Sequence, residues 1–267
     1  MAIKGLLNDI QDGIKFSFQP ALADLVNWGG NEDIPVNRWF RYREAYSPNL
    51  ITELNLGQNI LDPFCGCGSI MVGAATSNRY SVGIDINPIA VFAARVKLTP
   101  LTKQQLKRAK SFLDSYQHLL SHRPCWPLPA LSIADKVFEP EILETVGRLR
   151  SALEEYASDD ERLRNFLLLA WLSILESVGS YFKEGNGIKY RNKKRLKSGY
   201  IRREDGEWQR KRFGEDQPAF VCDKFSNQLS LMLSDVACWG QGLWSGQQVH
   251  EGSALELSEI IQGQDFD

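Results

Sequence analysis

From Asn59 onward the apolar and polar positions follow the order strand, turn, helix, strand. A short apolar run ends at Asp62, a glycine-rich turn and a small-residue helical pattern follow, and a second apolar run covers Tyr80 to Ile84. This spacing predicts one βαβ unit. Pro88 stands where a first helical turn tolerates proline, and Ile89 to Val96 supply an Ala-rich apolar helix. The Pro-rich stretch Pro124 to Pro129 interrupts the next helical region. Helical periodicity resumes around Pro140 to Tyr156, Glu161 to Val178 and Ala219 to Cys238, and Gln248 to His250 can form another short strand. So long a helical stretch between strands predicts an insertion rather than an ordinary crossover.

The expected organisation is an N-terminal arm over residues 1–57, the first part of an α/β core over 58–99, a mainly helical insertion over 100–240 and a third-strand region over 241–267. In the arm, Trp39, Phe40 and Tyr42 are expected to pack against the core, whereas Arg38, Arg41 and Arg43 are equally compatible with a solvated face. No internal repeat is evident.

The chain has 267 residues, with 43% hydrophobic and 24% charged side chains, the composition of an ordinary globular protein. Its 33 acidic and 31 basic residues give a net charge of -2, so the chain as a whole is not expected to attract a polyanion. Residues 183–212 differ: they carry twelve Lys or Arg against four Asp or Glu, interleaved with Gly187, Gly199, Tyr190, Tyr200 and Trp208. A mobile basic loop is expected there. Apolar stretches too short for a bilayer and the absence of a leader pattern predict no membrane association. With five cysteines, reduced thiols and a cytoplasmic location are the expectation.

The sharpest chemistry lies in Asn59-Ile-Leu-Asp-Pro-Phe-Cys-Gly-Cys-Gly-Ser69. Glycines allow close backbone approach and unusual dihedrals, and amides near a helix terminus favour a carboxylate or phosphate. Asp62 at the strand end suits an amino group instead and disfavours a closely packed pyrophosphate. Asp85, 23 residues further on, ends the second strand, where a carboxylate can accept hydrogen bonds from both ribose hydroxyls. A nucleoside bearing an amino-acid tail satisfies both aspartates, and S-adenosylmethionine (AdoMet) is such a molecule.

Asp62-Pro63-Phe64-Cys65-Gly66-Cys67-Gly68-Ser69, with Gly83-Ile84-Asp85-Ile86-Asn87-Pro88, resembles the AdoMet-binding signature of site-specific DNA methyltransferases that modify exocyclic amino groups. The resemblance implies that Asp62 helps hold the methionine portion, that Pro63, Phe64, Gly66 and Gly68 line the cofactor, and that Asp85, followed by Ile86, holds ribose. Arg38-Trp-Phe-Arg-Tyr-Arg-Glu-Ala-Tyr-Ser-Pro48 resembles the segment that closes over the methionine end, which makes Tyr46, Ser47 and Pro48 cofactor-side candidates. Glu251-Gly-Ser-Ala-Leu-Glu-Leu257 occupies the place of contacts to the cofactor's adenine, adding Ser253 and Ala254. Family members often carry an acid where Ser253 stands, and a serine hydroxyl can participate differently. Lys183 to Arg195 is similar to a basic segment in the helical insertion of some members. It implies nucleic-acid contact by Lys189, Arg191, Lys193, Lys194, Arg195 and Lys197, chiefly to phosphates.

The implied fold is α/β, a partial Rossmann-like class I AdoMet-dependent methyltransferase with a large helical insertion and an incomplete central sheet. In such enzymes an Asp/Asn/Ser-Pro-Pro-aromatic motif after the fourth strand holds the target amino group and stacks on the extruded base. No Pro-Pro pair occurs in these 267 residues, so no catalytic residue is assigned. Gln264-Asp-Phe-Asp267 resembles the lead into that fourth strand. The implied protein is the N-terminal part of a split or interrupted enzyme acting on DNA adenine or cytosine, with a complementary C-terminal polypeptide and a cognate restriction system as the implied partners. The usual strand order, 3-2-1-4-5-7-6, then leaves the first strand at an edge. An RNA guanine N2-methyltransferase component and an inactive AdoMet-binding fragment are the alternatives.

Other chemistry-bearing residues read as structural. His118, His122 and Cys125 lack a fourth metal ligand, and Cys65 and Cys67 read better as small side chains beside a cofactor than as a metal or redox pair. Glu141, Glu144, Glu154 and Glu155 read as helix charges, and Phe166, Leu168 and Trp171 as helix packing.

Overall fold

The computed structural model describes residues 20–26, 31–127, 134–184, 187–202, 206–239, 246–263 and 265–266. Its central sheet has three parallel strands: β1 (Asn59–Asp62), β2 (Tyr80–Asp85) and β7 (Gln247–Glu251), in the spatial order β1-β2-β7. Asp62 stands beside Gly83, and Asp85 beside Glu251, so all three strands end at the same side of the sheet. Among the described residues, no strand pairs with the other side of β1. This is a Rossmann-like class I methyltransferase fold with helical insertions and an open sheet.

Short helix α1 (Leu50–Glu53) precedes the sheet, and α2 (Ser69–Thr76) connects β1 to β2. The small residues of α2 permit close packing: a side chain at Gly73 would collide with the Pro48 carbonyl, and one at Gly83 with Met71 and Cys65. After β2, Asn87 caps α3 (Pro88–Lys97). Its Oδ1 accepts from the amides of Ile89 at 3.0 Å and Ala90 at 3.4 Å, and Pro88 takes the first turn, where no amide is needed.

Between β2 and β7 lie α4 (Lys103–Leu120), α5 (Ala134–Val137), α6 (Pro140–Tyr156), α7 (Glu161–Val178), α8 (Gly206–Phe213) and α9 (Gln217–Trp239). A capping box of Thr102 and Gln105 starts α4, and Asp160 caps α7 while accepting from the Gln105 amide. Phe112, Tyr116, Tyr156 and Phe225 form one aromatic cluster with ring centroids 4.9 to 6.2 Å apart. This cluster ties α4, α6 and α9 together, and the buried Tyr116 hydroxyl donates to the Cys222 carbonyl at 2.8 Å. No helix among the described residues is long and apolar enough to cross a membrane.

Most of the described residues in the loop expected over 183–212 form secondary structure instead. β3 (Tyr181–Glu184) pairs antiparallel with β4 (Gly187–Tyr190), β5 (Lys193–Leu196) pairs with β6 (Gly199–Arg202), and α8 follows. The Arg191 amide donates to the Ser180 carbonyl at 2.7 Å and fastens the first hairpin to the end of α7. The many charges hide the hairpins from a reading of hydrophobic pattern, because both strands of each pair are largely solvated.

The arm is held by one carboxylate. Asp235 of α9 is 2% exposed. Its Oδ2 accepts from the Val36 amide at 2.9 Å, the Trp39 indole at 2.9 Å and Arg38 Nε at 3.1 Å, and its Oδ1 accepts from Arg38 at 2.6 Å. Arg38 therefore belongs to a buried ion pair rather than a solvated face. Val36 adopts φ +63°, a conformation that a β-branched residue holds only when its surroundings over-determine it. Trp39 packs edge-on against Phe166, 5.5 Å between ring centroids. Replacing Asp235 with Ala removes this carboxylate from a part-buried guanidinium and from a buried indole and amide. The expected loss is about 3–5 kcal/mol of folding stability. A denaturation midpoint essentially equal to wild type would show that this carboxylate does not hold the arm.

Candidate functional site

The carboxyl end of β1 leads into a turn with two left-handed glycines, Gly66 at φ +50° and Gly68 at φ +81°. A Cβ on Gly66 would lie 2.8 Å from the Tyr42 ring, and one on Gly68 would lie 3.0 Å from Ala94 Cβ, so close approach as well as φ demands glycine at both. Asp85 Oδ2 accepts from the Gly66 amide at 2.8 Å, and Asp85 Oδ1 accepts from the Asn87 amide at 2.8 Å. The carboxylate at the end of β2 thus fixes the turn at the end of β1. Each of its oxygens retains acceptor capacity.

A cavity of about 220 Å3 opens over this turn, lined among others by Tyr42, Tyr46, Phe64, Gly66, Ser69 and Asp85. Glu44, Ala45 and Cys65 complete its wall. Asp62 lies beneath the turn, 8% exposed, and differs from Asp85 in its bonding. Its Oδ1 accepts from the Phe64 amide at 3.2 Å, whereas its buried Oδ2 has no hydrogen-bond partner among the described residues. Burial pushes the Asp62 carboxyl up to about 6, the Phe64 amide opposes this, and the nearby Asp85 adds to it. Burial also raises the phenols of Tyr42 and Tyr46, with the charge of Asp85 next for Tyr42 and that of Asp62 next for Tyr46, so both remain neutral hydroxyls.

An unsatisfied, buried carboxylate oxygen suits a charged amino group, which would supply the donor that the protein lacks. The donor set therefore fits the amino-acid end of AdoMet, with Asp85 the available acceptor for ribose hydroxyls. Phe64 and Ile86 are 70% and 75% exposed, large apolar groups at the strand-end face that suit the flat surface of a purine.

The remaining sequence candidates separate by position. Tyr46 lines the cavity, but Ser47 and Pro48 are buried toward α1 and α2: the Ser47 amide donates to the Leu25 carbonyl at 2.7 Å, and Pro48 abuts Gly73. Pro63 follows Asp62 in the turn. Ser253 and Ala254 follow β7, and the Gly252 amide donates to the Asp85 carbonyl at 3.1 Å, which holds this segment beside the end of β2. The Ser253 hydroxyl accepts from the Leu255 amide at 3.2 Å and caps a short 3-10 turn, and neither residue lines the cavity. Tyr42, Glu44 and Ser69 were not singled out as cofactor-side residues. The Ala45 amide donates to the Tyr42 carbonyl at 3.1 Å and closes a turn, and this turn brings Tyr42, Glu44 and Ala45 to the cavity beside Tyr46.

Of the basic candidates, Lys189 lies on β4 and is exposed, Lys193 sits on β5 with its ammonium 4.1 Å from the Tyr190 ring centroid, and Lys197 is exposed in the β5–β6 turn. Arg191 is half-buried instead: its Nε donates to the Tyr181 carbonyl at 2.8 Å and its guanidinium lies 4.9 Å from the Phe182 ring centroid. Lys194 and Arg195 belong to β5, and their side chains lie outside the described residues.

The chemistry of Asp62 gives a pH-dependent stability. Its folded value of about 6 exceeds the ordinary 3.8, so the folded chain holds this proton more tightly than the unfolded chain. The group's favourable contribution is present below about pH 4 and is lost as pH rises toward 6. Asp62→Asn should therefore exceed wild type in stability at pH 7 by roughly 2 kcal/mol, with the difference vanishing near pH 4. Chemical denaturation at the two pH values measures this, and an Asn variant no more stable than wild type at pH 7 would contradict it.

The chain is similar over most of its length to type II methyltransferases. It is 26% identical over 261 residues to Type II methyltransferase M.AvaI of Nostoc sp. and 27% identical over 260 residues to Type II methyltransferase M.BsoBI of Geobacillus stearothermophilus. Each alignment covers 91% of this chain and 50% of the relative. A shorter match, 35% identical over 72 residues, covers 25% of this chain and 14% of Type II methyltransferase M.MjaII of Methanocaldococcus jannaschii. The chain spans about half the length of the first two curated relatives. No protein-family profile and no solved structure matches it.

Proposed function

We propose that this chain is the AdoMet-binding part of a site-specific DNA methyltransferase, of a restriction-modification type, acting on the exocyclic amino group of adenine or cytosine. The observation that carries this reading is the pairing of Asp62 and Asp85 at adjacent strand ends: one a buried carboxylate with an orphan oxygen among the described residues, the other fixing a left-handed turn and lining the cavity that opens over it. Asp62 holds the amino group of the cofactor, Asp85 the ribose hydroxyls, and Phe64 and Ile86 flank the purine. The similarity to type II methyltransferases supports it.

Bound AdoMet would supply an electrophilic methyl group for transfer to the base nitrogen, which would lose a proton. The part played by these residues is orientation: the two carboxylates fix the ends of the cofactor, and Tyr42 and Tyr46 screen the cavity from water. A base nitrogen must also be held in line with the methyl group, and no Pro-Pro motif for that task occurs in residues 1–267. We assign the holding of the base to residues outside this range.

Two measurements test the reading. Calorimetry should detect AdoMet binding, and Asp85→Ala should weaken it by roughly ten- to a hundred-fold, the effect of losing charged acceptors. Unchanged affinity would remove Asp85 from the site. The 267-residue chain alone should transfer negligible methyl to DNA, with activity appearing on addition of a complementary chain that carries the Pro-Pro motif. Persistent inactivity of an assembled, AdoMet-loaded complex on a broad pool of DNA sequences would reject it.

A further inference from the structure

A second concave surface lies beside the cavity over the glycine turn, bounded by the arm, α3, α7, β3, α8 and α9. It encloses about 450 Å3. Its apolar floor includes Phe40, Ile89 and Leu172, and its wall carries five cationic side chains: Arg41, Lys183, Arg191, Arg212 and Lys224. They come from five different elements or turns, so tertiary folding rather than a local run of sequence gathers the charge.

Glu176 is the sole carboxylate on this wall, and it is already engaged: its Oε1 accepts from the Lys183 amide at 3.2 Å and lies 3.6 Å from Arg43. Among the described residues, none of the five cations forms a salt bridge with a carboxylate. Neutral contacts hold two of them. The Arg191 Nε bond to Tyr181 is one, and Arg212 donates to the Ser177 carbonyl at 2.6 Å with its guanidinium 5.5 Å from the Phe213 ring centroid. Burial, and then the charge of Arg191, lowers the Arg212 pKa from its ordinary value. A concave wall on which five cations face one carboxylate, partly desolvated, focuses a positive potential and favours an anion.

Arg41, Lys183 and Lys224 are exposed at the mouth, whereas Arg191 and Arg212 lie deeper. That arrangement suits a polyanion lying across the opening with one group reaching inward, more than a small ion enclosed on all sides. The segment from Phe40 to Tyr46 lines both cavities: Phe40 and Arg41 face this one, Tyr42, Glu44, Ala45 and Tyr46 the other. A strand anchored here stands one chain segment away from the candidate cofactor turn.

We propose that this cavity seats a phosphodiester group of the DNA backbone, adjoining the nucleotide presented to the cavity over the glycine turn. The proposal rests on the methyltransferase reading for the identity of the polyanion, and on the uncompensated cations for the site. It places the main phosphate anchor in the fold between the arm and the helices rather than along the exposed hairpin lysines.

The test compares the full wild-type chain with Arg41→Ala/Lys224→Ala and with the equal-charge control Lys107→Ala/Lys110→Ala on the exposed face of α4. Fluorescence anisotropy with a labelled DNA duplex is measured over a range of salt concentrations. At about 0.1 M salt the cavity pair should bind roughly tenfold or more weakly, its slope of log affinity against log salt should fall by about one to two, and the control should stay within about twofold. A cavity pair indistinguishable from the control, or a wild-type chain that does not bind duplex even at low salt, overturns the proposal. Calorimetric titration with inorganic phosphate supplies the other arm: phosphate binding that the cavity pair abolishes, with DNA affinity untouched, assigns the cavity to a small phosphate ligand and overturns it as well. AdoMet affinity is measured in parallel and should be equal in all three proteins. Absence of AdoMet binding in the wild type would sink the methyltransferase reading, while the DNA comparison still decides the cavity.

Discussion

The carboxylate of Asp235 is the constraint on which the functional face depends. One buried side chain from α9 accepts from the backbone of Val36, the guanidinium of Arg38 and the indole of Trp39, and so fixes three nearly consecutive residues of the arm against the helical insertion. The unfavourable dihedral of Val36 is held by this bonding. From that anchor the chain runs into a turn at Tyr42–Ala45, with the residues just before the turn lining one cavity and those of the turn lining another. Without it the aromatic side chains over the glycine turn and the cation at the neighbouring mouth would lose their common support.

The sheet itself was readable because its punctuation is local. Asp62 and Asp85 close short apolar runs, glycines follow the first, and Asn87 and Pro88 open a helix after the second, so strand ends and helix start are set by residues adjacent in sequence. The long helices were readable by their period. What escaped was tertiary. Tyr42 and Glu44 reach the site only because Asp235, almost two hundred residues away, positions their segment. The hairpins of 181–202 carry too few apolar residues for alternation to show, and their composition alone reads as a loop. Ser253 looks like a ligand contact by position, yet its hydroxyl is a local cap.

The two aspartates illustrate how identical side chains acquire different chemistry. Asp85 is surrounded by backbone amides and behaves as a structural acceptor that also faces the cavity. Asp62 has one amide for two oxygens and is buried, so its ionised form is unfavourable until a cation arrives. A site built this way favours a zwitterionic ligand over a purely anionic one. The neighbouring cationic cavity has the reverse preference, and the two adjoin without neutralising each other because the Phe40–Tyr46 segment stands between them.

The thiols of the glycine turn have a related consequence. Cys65 lines the cavity, and burial, followed by the charges of Asp62 and Asp85, pushes its pKa far upward. Cys67 is turned inward, where the ammonium of Lys97, a residue only 1% exposed, donates to its sulfur at 3.2 Å. The nucleophilic form of a cysteine is the thiolate. On the proposed reading the chain keeps an alkylating agent within reach of one sulfur that stays protonated and sequesters the other behind the turn, and so protects itself from modification by its own methyl donor.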